Sequence, residues 1–289
     1  MLNNKMNMKI IIAFFISISI IVNSYGSENE DRLFIQQIDT SLEKLIQINK
    51  AIKDIHPFLN EFHPIAIVKD DNYFIFDFDT INNKYEFIKK EPTSFTLPEK
   101  VRASFPLSCY NNRPSCIVFK DIFKTLAGYV TIFHEFMHCC QSVICESELK
   151  KDLVIAQKAM EVNDYMWELN HNFPYQDSLF VAYYTQFLIA LDNDEDIRIK
   201  DLRDQLMQYL KPVDYEYMVW QEWKEGFARL IENKIRINLQ LGENNNGYEK
   251  PYNRVTFYYG GAKFIDYLSK KNPELYLDIE MLFHHMKRT

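Results

Sequence analysis

His134, Glu135 and His138 stand in the stretch TIFHEFMHCC, residues 131–140. Two histidines four residues apart lie on one face of a helix and can aim both rings at a single point. Zinc takes nitrogen and carboxylate ligands at about 2 Å in a tetrahedral array, so this pair suits two of its positions. The glutamate directly after the first histidine then lies near the open position. There Glu135 can take a proton from water and turn it into a nucleophile toward a carbonyl. The chemistry expected is metal-assisted hydrolysis. The setting agrees: from about Lys124 to Cys145 the chain is long, apolar and free of proline, which predicts a buried helix.

A third ligand has to come from elsewhere. In HEFMHCCQSVI, Gln141 and Ile144 occupy the places where a metzincin has its glycine and third histidine, so that class is excluded. Near Gln157 the only nearby acid is Glu161, on an ordinary charged helix. Further on stands WKEGFARLIE, residues 223–232, and later YYGGAKFIDYL, residues 258–268.

These two segments, with the histidine motif, resemble the gluzincin metallopeptidases, notably the zinc aminopeptidases. The resemblance implies a zincin-like fold and an enzyme that hydrolyses peptide bonds with one zinc ion. It makes Glu225 the third ligand, with Glu222, one turn earlier, as the rival. It makes Glu232 the acid that accepts the remaining N–H of a zinc histidine. It places Tyr258, with Tyr259 next, as donor to the oxyanion of the tetrahedral intermediate. The motifs fall in the same order along the chain as in that clan. Three departures stand beside this. The gap between His138 and Glu225 holds 86 residues, far more than in the aminopeptidases. Gly260 replaces the usual lysine of the tyrosine segment. The Gly-x-Met-Glu-Asn segment that captures a free amino end is missing, so aminopeptidase specificity does not carry over. The alternative is a zincin-like scaffold that binds a protein partner without cleaving it.

The elements that must position these residues are legible in outline. Ile38, Leu42, Leu45, Ile48, Ile52 and Ile55 recur at steps of three and four, predicting a helix over 31–60. YFIFDFD (73–79) and KYEFIKK (84–90) alternate around TINN and predict a β-hairpin, and SCIVFKDIF suggests another strand. Residues 147–240 read as mainly helical, with turns at HNFPYQD, LDNDEDI and LKPVDYEY. A polar loop, GENNNGYEKPYNR, precedes a last helical region from about Tyr259. The fold class expected is α+β, with an N-terminal α+β lobe (27–146) carrying the motif helix and a helical lobe (147–289) carrying the third ligand.

Composition narrows the classes further. The 289 residues are 47% hydrophobic, ample for a core, and the net charge of −7 argues against a nucleic-acid partner. With seven glycines there is no phosphate-cradling loop. Lys5 and Lys9, an apolar run over 10–22 and small residues before position 27 read as an export signal (1–26), giving a periplasmic or secreted protein without a stable membrane span, with an uncleaved N-terminal anchor as the alternative. Cys109 and Cys116 bracket a turn that suits a disulfide, while Cys139, Cys140 and Cys145 follow the motif. Buried packing is expected of Cys139 and Cys140, with a vicinal redox pair as the sharper reading. His56, His63 and His171 are expected at the surface, and His284 and His285 at a solvated helix end.

Overall fold

The computed structural model describes the backbone of residues 4–288 and the side chains of residues 28–288. The expected export signal at 1–26 lies outside the residues whose side chains are described. Among the described residues, no helix is long and apolar enough to cross a membrane.

The first helix, α1 (Asn4–Ile52), buries Ile38, Leu42, Leu45 and Ile52 along one stripe. This is the stripe expected of a helix lying on a core. It ends eight residues before the expected boundary, at Ile52, and Pro57 then opens a short 3-10 turn over Pro57–Asn60. Five strands follow: β1 (Ile65–Lys69), β2 (Asn72–Asp79), β3 (Lys84–Pro92), β4 (Arg102–Leu107) and β5 (Arg113–Phe119). The sheet order is β3-β2-β1-β5-β4, with β1 and β5 parallel and every other pair antiparallel. The hairpin of β2 and β3 is the one expected from alternation. β1 escaped the pattern because it is a central strand covered on both faces, so Ile65, Ala66, Ile67 and Val68 are all buried and do not alternate. β4 escaped it because an edge strand tolerates Pro106 and short length.

The motif helix, α2 (Leu126–Gln141), begins where the Thr125 hydroxyl accepts from the Gly128 N–H. A π-turn (Ser142–Glu146) carries it into a helical half: α3 (Ser147–Lys151), α4 (Val154–Glu161), α5 (Trp167–Asn170), α6 (Ser178–Asp192), α7 (Asp196–Tyr209), α8 (Pro212–Asn238), α9 (Arg254–Lys271), α10 (Glu274–Leu277) and α11 (Ile279–Arg288). The class is α+β. The long gap between the two motif segments is occupied by α3 to α7 and the first half of α8. One apolar core runs from Phe34 of α1 to Met286 of α11, so the two halves share it. A second, smaller cluster around Ala66, Tyr73 and Ile117 lies on the other face of the sheet.

The last region differs from expectation. α9 starts at Arg254, because the Asn253 side chain accepts from the Val255 N–H and Thr256 closes a capping box. Gly260 and Gly261 therefore lie inside the helix. Gly261 is needed where α9 crosses α8. A Cβ on Gly226 of α8 would sit 2.6 Å from the Gly261 Cα, and a Cβ on Gly261 would strike the Glu222 carbonyl. The two glycines let the helix backbones touch.

Candidate metal centre

α2 lies against α8, and this packing sets three donors around one point. His134 Nε2 and His138 Nε2 are 3.2 Å apart. Glu225 Oε2, from α8, is 3.7 Å from the first and 3.4 Å from the second. A tetrahedral zinc with ligands at about 2.05 Å requires donor–donor separations of about 3.3 Å. The three residues therefore fit the ion the sequence implies. Both histidines are buried.

The other ring nitrogens are committed elsewhere, which fixes both tautomers. His134 Nδ1–H donates to Glu232 Oε2 at 3.1 Å, and Glu232 in turn accepts from Arg229 Nε at 3.1 Å and Asn244 Nδ2 at 2.8 Å. His138 Nδ1–H donates to Gln141 Oε1 at 2.9 Å, and Gln141 Nε2 donates to the Lys224 carbonyl at 3.0 Å. With Nδ1 the donor in each case, both Nε2 atoms face the centre, where a metal ion can take the place of a proton. Gln141, Arg229 and Asn244 were not singled out from sequence. Gln141 sits three residues after His138 on the same helix, a signal that was available; Asn244 comes from a loop and had none.

Electrostatics follow the same arrangement. Burial works against a proton on His134, but Glu225 and Glu232 outweigh it and raise the imidazole to about 10. Burial alone would raise Glu232, yet His134 and Arg229 hold it at about 2. Glu225, flanked by both histidines, stays well below the usual carboxylate range despite its burial. The site is thus built to hold a positive charge between two carboxylates. Glu135 is buried and lines the same cleft, and burial pushes its carboxyl up.

The rival ligand is excluded by its partners. Glu222 is fully buried and accepts from Arg203 Nη1 at 2.7 Å and from the Tyr184 hydroxyl at 2.8 Å. Both of its carboxylate oxygens are thereby taken, although three residues along a helix leave it on nearly the same face as Glu225. Tyr258 lines the cleft, and its ring lies under the Arg229 and Arg254 guanidiniums at 5.6 and 5.3 Å. Burial and the neighbouring Glu225 push its hydroxyl upward, so it stays protonated. Tyr259 packs on Tyr248 and Lys263 along a separate groove and does not join the site.

The cleft has a volume of ≈ 590 Å³. One wall is β4, whose outer edge has no strand partner among the described residues. At the other end Lys150 and Lys224 each bridge Glu146 and Glu168 at 2.7–2.9 Å. Tyr165, Met166 and Leu169 form an exposed apolar rim.

Several expectations need correction. Cys109 and Cys116 are both free: Cys116 points into the large core, whereas Cys109 packs against the small cluster on the opposite face of the sheet. Cys139 and Cys140 are buried, which raises both thiols, and this agrees with packing. His56 and His63 are buried, not exposed. His56 Nδ1 accepts from the Phe58 N–H, and its Nε2 lies 2.8 Å from the Tyr276 carbonyl. His171 lies 2.8 Å from Asp214. Comparison of the chain with known families, with curated proteins and with solved structures finds no match.

Proposed function

We propose that the protein is an exported, single-zinc metallopeptidase of gluzincin type with a zincin-like fold, hydrolysing peptide bonds in a peptide or protein substrate. The observation that carries this reading is the convergence of His134, His138 and Glu225 at zinc-ligand spacing, with both histidine tautomers locked by Glu232 and Gln141.

Held by those three side chains, a zinc ion would supply Lewis acidity toward a carbonyl oxygen and toward water. Glu135 takes the proton of the attacking water and passes it to the leaving amine. Its buried position, which raises the carboxyl, brings it nearer the pH at which it must both accept and give up a proton. Tyr258, kept protonated by its surroundings, donates a hydrogen bond to the carbonyl oxygen as charge develops there. The free edge of β4 offers unpaired backbone groups along the cleft, so an extended peptide can pair with Arg102–Pro106 and pass beside Glu135.

The test is cleavage of an unbiased peptide mixture by the zinc-loaded protein and by Glu135→Gln, read by mass spectrometry. Cleavage by the first alone, with equal zinc in both, is the expected result. Equal cleavage by the variant removes Glu135 from its role. No cleavage by either overturns the peptidase in favour of a binding scaffold.

A further inference from the structure

The back of α2 carries a second set of metal-type donors. Cys140 follows His138 by two residues, about 200° around the helix, so its side chain leaves the face opposite the His134–His138 pair. There its Sγ lies 3.1 Å from His63 Nε2, and both side chains are buried. The Glu61 carboxylate completes a group whose three donor atoms lie within 4.8 Å of one another. We propose that Glu61, His63 and Cys140 bind a second, thiophilic divalent cation, zinc foremost, which clamps the segment before β1 onto the motif helix.

The donor types and the spacing support this. Imidazole, thiolate and carboxylate are the set zinc takes, and at bond lengths of about 2.05 and 2.3 Å a tetrahedral ion separates N from S by about 3.5 Å. The observed pair needs to open by only about 0.4 Å to accept it. Two of the donors are held in place. The Tyr85 hydroxyl donates to the His63 carbonyl at 2.9 Å, Phe136 packs edge-on against the His63 ring at 5.5 Å, and Cys140 is fixed by the helix. Glu61 is exposed, which gives the ion a path from solvent and leaves a fourth position for water. On binding, the ion replaces the Cys140 thiol proton, which leaves to solvent. The competing possibility is a plain thiol–imidazole hydrogen bond.

Cobalt(II) distinguishes the two, because a thiolate ligand adds an intense near-ultraviolet charge-transfer band that nitrogen and oxygen ligands do not give. The full chain, stripped of metal and kept reduced, is titrated with cobalt(II) under anaerobic conditions. Two ions per chain are expected, one of them bringing that band. The double variant His134→Ala/His138→Ala is expected to bind one ion and keep the band. Cys140→Ser and His63→Gln are each expected to bind one ion and lose it, while Cys139→Ser keeps both. Wild-type protein that binds one ion without the band overturns the second site and leaves the first untouched. One ion with the band, retained in the double variant, leaves the second site standing and removes the first. If a variant fails to fold, wild-type protein that takes up cobalt without the band still overturns the proposal.

Discussion

Gly226→Ala tests how finely the crossing of α8 and α9 sets the candidate site. The added Cβ falls 2.6 Å from the Gly261 Cα and carbonyl carbon and 2.8 Å from the Ala262 nitrogen. All three are backbone atoms of α9, so no rotamer can relieve the clash. Ordinary contact begins at 3.4 Å, so the two helices must part by about 0.8 Å. Overpacking of this kind costs about 1–3 kcal/mol, and each kcal/mol lowers the melting temperature by roughly 2–4 °C in a chain near this size. The same displacement moves Tyr258 and Arg254, on α9, away from Glu225, on α8. A misplacement near 1 Å costs up to about 10²-fold in rate, so kcat on a cleaved peptide should fall by roughly 10- to 10²-fold. Zinc affinity should change far less, since all three ligands lie on α2 and α8. The assays are thermal unfolding at fixed zinc, kcat, and zinc competition against a chelator. Gly242→Ala is the control, because its Cβ meets nothing within 4 Å. A Gly226→Ala protein with unchanged melting temperature and kcat would refute the reasoning, as the close approach of the helices would then have no energetic content.

Further outcomes follow from the same geometry. Glu232→Gln weakens the acceptor that orients His134, so zinc affinity should drop by about 10- to 100-fold in chelator competition while the fold survives. Glu225→Gln should abolish stoichiometric zinc binding, whereas Glu222→Gln should keep it. The latter should instead lower stability by about 3–5 kcal/mol in urea titrations, because Arg203 is left buried without its partner. Acid stability should track Glu168. Burial would raise its carboxyl, but Lys224 and Lys150 hold it at about 2, below the ordinary value of 4.5. Between those values the unfolded chain binds the extra proton, so this contribution is complete above pH 4.5 and is lost as pH falls toward 2. Glu168→Gln should flatten the pH dependence of the urea midpoint within that window.

The parts of the protein visible in sequence are those whose physics is local. Two histidines four apart share a helix face because the backbone repeats every 3.6 residues, and the proline-free run around them left the helix in no doubt. The hairpin of β2 and β3 showed itself through the partly exposed β3 and the outer end of β2, where apolar and charged residues alternate, although Tyr73–Phe76 are buried on both faces. β1 lacks that asymmetry and stayed hidden. Glu225 was within reach only through its Gly-Phe-Ala neighbours; nothing in the spacing says that residues 87 positions apart meet. The contact exists because α8 packs on α2, and Gly226 and Gly261, by letting α9 close on α8, add Tyr258 to the same cleft.

The tertiary structure decided what covers each polar group, and so what each group does. Glu222 and Glu225 have the same side chain on one helix, yet Arg203 and Tyr184 take the first and the histidines surround the second. His63, expected in solvent beside Pro64, is buried against Phe136 and Cys140, because α2 lies over the segment that leads into β1. Local sequence sets which donors a chain owns and the order in which they occur. Which of them share a dry site depends on long-range packing, where burial removes water as a competing partner and leaves each group to the neighbours the fold supplies.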